Sequence, residues 1–125
     1  MTRTDLVVLA VDDDMINLKL LKSMLMKSGH VKEVIEAKNG SDAIGELKAR
    51  NDIDLILLDI IMPIMGGIDM LKVVRADDNL RQLPIIVLTT DETKKVEALE
   101  CGANGFLMKP IRNDDLLGKI ATVIV

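Results

Sequence analysis

Five short apolar runs alternate along the chain with five segments of helical period, and this alternation predicts an α/β protein built on a parallel sheet. Two further observations sharpen the prediction. Three of the runs are continuous rather than alternating, as strands are when both faces of their sheet are covered. The links between elements are short, which requires right-handed crossovers that place helices on both sides of the sheet. The expected architecture is a three-layer α/β sandwich with a five-stranded parallel sheet, and residues 1–125 are expected to form one domain.

The first run, LVVLAV at 6–11, is apolar throughout. In 15–28, Ile16, Leu20 and Met24 recur at four-residue spacing with Leu21 and Leu25 beside them, the pattern of a helix with one buried stripe. The second run, VKEVIEA at 31–37, is more polar, as an edge strand would be. In 41–50, Ala43, Ile44 and Leu47 share a helical face. The third run is IDLILL, 53–58, followed by a helix over 67–76 in which Ile68, Leu71 and Val74 step by three. The fourth is PIIVLT, 84–89, followed by 92–101 with Val96, Ala98 and Leu99. The fifth is GFLM, 105–108, and the tail 113–124 carries Leu116, Leu117, Ile120 and Ile124. No repeat, low-complexity tract or linker interrupts the series.

Composition narrows the function classes. Apolar residues make up 49% of the 125, enough for a core without covalent staples. Phe106 is the only aromatic, so the core is expected to be aliphatic, made of Leu, Ile, Val, Ala and the adaptable side chains of eight Met. The single Cys101 excludes an internal disulfide and points to a reducing compartment. Its setting, ALECGANG, makes it a small packing residue at a helix end, and one Cys with one His, His30, cannot form a zinc site. A net charge of −4 without a basic patch argues against direct nucleic-acid binding. The start MTRTD is too short and polar for a signal peptide, and no apolar run approaches the roughly 20 residues that span a bilayer. A soluble cytoplasmic protein with no membrane contact is expected.

In open α/β sheets, sites form beyond the carboxyl ends of the strands. Asp12, Asp13 and Asp14 follow the first run, and Asp59 follows the third. The fourth ends in Thr89 and Thr90, the fifth in Lys109 and Pro110. Asp59 is thus expected at the rim of its strand, facing the other strand ends. Crowded carboxylates repel, and a divalent cation relieves the repulsion. All-oxygen ligands favour Mg²⁺, Mn²⁺ or Ca²⁺, and a site that leaves positions to water suits Mg²⁺ best. A metal and the Lys109 ammonium around one carboxylate make a receptor for a phosphoryl group, and an Asp oxygen can then act as nucleophile to give an acyl phosphate. Thr89 could donate a hydrogen bond to the product. Taken singly each residue has a plainer reading: Asp14 as a helix cap, Asp59 as a loop acid, Thr89 as a strand residue, Lys109 as a solvated lysine, Gly66 and Gly67 as turn residues, Phe106 as core. Their joint placement at four strand ends is what the plainer readings do not supply.

The stretches VLAVDDD, DLILLDIIMPIMGG, PIIVLTT and ALECGANGFLMKPI, in this order and spacing, resemble the receiver domains of bacterial response regulators, and the resemblance covers essentially the whole chain. It implies a flavodoxin-like (βα)5 fold with strand order 2-1-3-4-5. It implies phosphorylation of Asp59 by a histidine kinase or a histidine phosphotransfer protein. Asp13 and Asp59 would bind Mg²⁺ through their side chains and Ile61 through its backbone carbonyl, with Asp12 acting directly or through water. Lys109 would pair with the phosphoryl group ahead of a cis peptide to Pro110, Thr89 would move toward it, and Phe106 would be the switch aromatic. The face of the fourth helix, fifth strand and fifth helix would carry the output, to a downstream protein, to an effector domain outside this sequence, or to a second copy in a dimer. The domain would catalyse only its own phosphorylation and slow dephosphorylation.

The sequence departs from the family pattern in places. Phe106 has no hydroxyl, Thr90 stands where a small residue is common, and Gly66 replaces a polar residue. The stretch from Thr89 to Gly102 is about two residues shorter than usual, a change that loops absorb and that bears on where the fourth helix starts. Three rival readings remain at this point. Asp12 and Asp14, two apart, faintly resemble the nucleophile motif of haloacid-dehalogenase-like phosphatases. A flavin-binding module would share the fold, although three acids after the first strand repel a flavin phosphate. A receiver-like domain could also act by contact alone.

Overall fold

The computed structural model describes residues 2–124. The elements follow in the order β1 (Leu6–Val11), α1 (Met15–Lys27), β2 (Val31–Ala37), α2 (Gly40–Ala49), β3 (Leu55–Asp59), α3 (Gly67–Ala76), β4 (Ile85–Thr89), α4 (Lys95–Glu100), β5 (Gly105–Met108) and α5 (Asn113–Val123). All strand pairs are parallel, and the sheet order is β2-β1-β3-β4-β5. This is the flavodoxin-like topology that the resemblance implied.

The continuous apolar strands are explained by what covers them. Val7, Leu9, Val11, Ile56, Leu58, Ile85 and Val87 point to one face and pack against α2, α3 and Ala98 of α4. The intervening Leu6, Val8, Ala10, Leu55, Leu57, Ile86 and Leu88 point to the other and pack against α1 and α5. Successive side chains of a strand face opposite ways, so β1, β3 and β4 have no solvent-facing side and carry no polar residue until their ends. The polar β2 lies at an edge, as its composition predicted.

Three expectations are corrected. In α1 the buried residues are Leu18, Leu21 and Leu25, whereas Ile16 and Leu20 are exposed. Ile16 and Leu20 face away from the sheet, whereas Met24 is half-buried against the core; two apolar rows lie on this helix, and periodicity alone does not say which is buried. The methionines are not core material as a set: Met70 is fully buried, but Met15, Met26 and Met108 are exposed. In 92–101 the single expected helix divides into a 3₁₀ turn, Glu92–Lys94, and a six-residue α4, in which only Ala98 is buried while Val96 and Leu99 are exposed.

Local chemistry fixes the helix starts that frame the strand ends. The Asp14 carboxylate accepts from Ile16 N–H at 2.8 Å to cap α1, and Asn39 accepts from Asp42 N–H at 2.8 Å to cap α2. Such caps contribute about 1 kcal/mol each. Gly66 and Gly67 were expected to serve turns, but neither has a positive φ. Gly67 is required by proximity instead. A Cβ there would run into the Asp59 carbonyl oxygen and stand 2.8 Å from Ile60 Cα. The start of α3 is thus pressed onto the backbone of the residue at the centre of the strand-end cluster. Gly67→Ala is expected to destabilise the protein by about 1–3 kcal/mol, since backbone rather than a flexible side chain would have to yield. Gly118→Ala, in α5 with nothing within 4 Å, is expected to be neutral or to stabilise by about 0.5–1 kcal/mol. Urea unfolding midpoints of the two variants check both, and an equal effect of the two would contradict the proximity argument.

Candidate functional site

Sheet register builds the site. Val11 pairs with Leu58, so Asp12 comes level with Asp59 at the ends of two neighbouring strands. Asp59 pairs with Leu88, and Thr89 stands one residue beyond it. Thr89 pairs with Met108, and Lys109 follows, its N–H donating to the Thr89 carbonyl at 2.8 Å. The Lys109–Pro110 peptide is cis.

At this edge the Lys109 ammonium donates to Asp12 Oδ2 at 2.7 Å and stands 3.5 Å from Asp59 Oδ2. Asp12 and Asp59 are buried, Asp13 is exposed, and one oxygen of each lies within 4.8 Å of the others. Asp12 Oδ1 also accepts from Asp14 N–H at 2.9 Å, and Asp59 Oδ1 from Ile60 N–H at 2.8 Å. Thr89 is fully buried, and its hydroxyl accepts from Asp91 N–H at 3.2 Å. Asp59 is therefore the last residue of a buried strand as well as part of the rim.

Burial pushes the Asp59 carboxyl above the ordinary carboxylate value; Lys109 opposes this, and the charge of Asp12 adds to it. For Lys109, burial works against the charge, but the hydrogen bond donated to Asp12 and the field of Asp59 outweigh it, and the ammonium is held above its usual value. The geometry accounts for the difference. Lys109 makes its short contact with Asp12 and leaves Asp59 the less compensated of the two.

The donor set fits a hard divalent cation. Three carboxylates against one ammonium leave two negative charges uncompensated, and the oxygens are close enough for one ion to bridge them. The Ile61 carbonyl, next to this cluster in the chain, accepts no hydrogen bond among the described residues. The Ile61 side chain is apolar and exposed. Asp14 stands outside the cluster, its carboxylate used in the α1 cap, so the Asp12–Asp14 pair of the phosphatase reading does not form. Phe106 is half-buried and packs against the α2–α3–α4 side of the core. Two features were missed in the sequence: the pressure of Gly67 on the Asp59 backbone, and the Asp91–Thr89 contact. The Gly-Gly pair just ahead of a helix was the only available signal for the first, and Asp two residues after the strand-end Thr for the second.

A doubly wound sheet whose strand ends gather three acids, a lysine and a buried threonine defines a signalling-domain architecture. The family model for the response regulator receiver domain matches residues 8–121, and the chain belongs to that family, the receiver domains of two-component systems. Among its relatives, chemotaxis protein CheY1 of Helicobacter pylori (strain J99) is 35% identical over 118 residues, covering 93% of this chain and 94% of that protein. The structure of the chemotaxis response regulator CheY4 of Vibrio cholerae superposes with a TM-score of 0.86 at 34% identity, covering 96% of this chain and 99% of that one. The receiver domain of a sensor histidine kinase from Pseudomonas aeruginosa PAO1, solved with a magnesium ion in its active-site cleft, superposes with a TM-score of 0.86 at 27% identity, covering 95% and 97% of the two chains. Among the described residues no helix is long and apolar enough to cross a membrane.

The raised Asp59 value has a stability consequence with a definite sign. The folded state holds this proton more tightly than the unfolded state, so stability falls as pH rises through the interval between the ordinary carboxylate value and the raised one. Above that interval, in metal-free buffer, the ionised carboxylate opposes folding. Asp59→Asn is therefore expected to raise the thermal midpoint by a few degrees at neutral pH with chelator present. The gain should vanish below the ordinary carboxylate range. A gain that does not depend on pH would show that charge is not its cause.

Proposed function

We propose that this receiver domain takes a phosphoryl group onto Asp59 from the phosphohistidine of a histidine kinase or histidine phosphotransfer protein. The observation that carries the reading is the placement of Lys109 Nζ, 2.7 Å from Asp12 and 3.5 Å from Asp59, beside carboxylate oxygens that converge within 4.8 Å. In the transfer, an Asp59 oxygen attacks phosphorus in line, the P–N bond breaks, and its electron pair leaves with the imidazole, which takes up a proton. Mg²⁺, with Mn²⁺ or Ca²⁺ as substitutes, would be held by Asp12, Asp13, Asp59 and the Ile61 carbonyl, and would supply charge neutralisation on the phosphoryl oxygens. Lys109 holds positive charge over the same oxygens. Thr89 serves as a hydrogen-bond acceptor at rest, so its hydroxyl proton is available to a phosphoryl oxygen. Turning to donate it loosens the Asp91 contact, and Phe106 adjusts on the neighbouring strand.

The surface made by α4, β5 and α5 then presents a changed face, on which Val96, Leu99 and Met108 are exposed. Its reader is a downstream protein, an effector domain or a second copy. In this reading residues 1–125 form a single cytoplasmic receiver domain, a signalling module whose only catalysis is its own phosphorylation and slow dephosphorylation.

Incubation with acetyl phosphate and Mg²⁺ is expected to add one phosphoryl group per chain by intact mass. Chelation of the metal or Asp59→Asn should abolish the shift; labelling that persists in Asp59→Asn would mean a different acceptor. The apolar Ile61 side chain offers nothing to orient a hydrolytic water. The acyl phosphate is therefore expected to last minutes or longer after removal of donor, and decay within seconds in the purified protein would refute that role for Ile61.

A further inference from the structure

Arg75 lies in the last turn of α3, at the end of the sheet opposite Asp59, and the phosphoryl chemistry makes no use of it. All five N–H groups of its guanidinium are engaged. Nε and Nη2 donate to the Gly102 carbonyl at 3.0 and 2.8 Å. Nη1 donates to the carbonyls of Arg81 and Leu83 at 3.0 and 2.8 Å, and Nη2 also to Asn104 Oδ1 at 2.8 Å. Every acceptor is a neutral oxygen. Asn104 is in turn tied to the start of β4, accepting from Ile85 N–H at 2.9 Å and donating its own N–H to Ile85 O at 2.8 Å. Gly102 has a φ of +108°, and a Cβ there would stand 2.9 Å from Arg75 Cγ and Nε. Only glycine lets the planar fork reach that carbonyl, and only a planar fork reaches acceptors from two loops, 81–83 and 102–104, at once.

Gly102 closes the C-terminal end of α4, its N–H donating to Leu99 O at 3.1 Å, with Ala103 N–H on Ala98 O at 3.0 Å. The other end of α4 is held far less. No side chain caps it, and the 3₁₀ turn before it is held by Asp91, whose N–H makes the 3.2 Å contact with the Thr89 hydroxyl. Between the two ends only Ala98 is buried. Charge-assisted bonds are roughly twice as strong as neutral ones, so α4 has one firm end and one end that depends on Thr89.

We infer that Arg75 is a positioning residue for the output face: it pins the C-terminal end of α4, so that release of the Thr89–Asp91 contact tilts α4 about Gly102 instead of shifting it as a whole. The cause of that release rests on the phosphoacceptor reading above; the pin does not. Hinges of this kind are a few residues at element ends that absorb the backbone change.

Hydrogen exchange by mass spectrometry on the full chain tests this, with Mg²⁺ and with or without beryllofluoride as phosphoryl mimic. In the parent protein the mimic is expected to change exchange in 90–96 and leave 100–104 unaltered. In Arg75→Met, protection of 98–104 is expected to drop about tenfold before any mimic is added, and the mimic should then alter the whole of 90–104. Arg75→Lys keeps the charge but not the fork, and should fall between the two; it also carries the test if Arg75→Met does not fold. Labelling by acetyl phosphate should persist in both variants. A mimic response equally confined to 90–96 in the variants, or in the parent a response that reaches 100–104, overturns the pin. Absence of any mimic response in the parent overturns the phosphoacceptor reading and the tilt with it, while the resting protection of 98–104 still reports on the pin.

Discussion

The contact between Lys109 and Asp12 joins residues 97 apart in sequence, and the arrangement of charge at the strand ends depends on it. β1 and β5 are not neighbours in the sheet; β3 and β4 lie between them. The ammonium can meet both Asp12 and Asp59 only if all four strands keep their order and register, because a slip of one residue would turn every side chain to the opposite face. A buried ion pair is weak support for stability, since desolvation offsets much of the attraction. Its consequence here is to fix a positive charge beside two carboxylates that would otherwise repel, while leaving Asp59 only partly compensated.

That incomplete compensation connects the site to the rest of the molecule. Asp59 is pressed from behind by Gly67 of α3, and its strand neighbour β4 carries Thr89 into a fully buried position. Through one hydrogen bond from Asp91, the Thr89 hydroxyl holds the turn that leads into α4. The fold thus provides a short path from a charge cluster to a lightly packed surface helix, with few groups along it and the anchoring Arg75 network at its far end.

Much of the fold was legible in the sequence because the hydrophobic pattern reports burial directly. The uninterrupted runs of β1, β3 and β4 could belong only to a doubly covered sheet, and the polar VKEVIEA marked an edge. The pattern failed where apolar residues exceed what the core takes up. In α1, Ile16 and Leu20 compete with Leu18 and Leu21 for the same role, and helical spacing cannot rank them. The methionines misled for the same reason, since an unbranched side chain is tolerated both inside and at the surface.

The sequence by itself determined the order of elements, the two-sided sheet and the identity of the acids, the threonine and the lysine at the strand ends, because each depends on local pattern or on the residue that ends a run. Tertiary structure alone decided that Lys109 favours Asp12 over Asp59, that Gly67 answers a close approach, and that Arg75 binds the end of α4. These depend on distances between segments far apart in the chain, which are set only when register and packing bring them together.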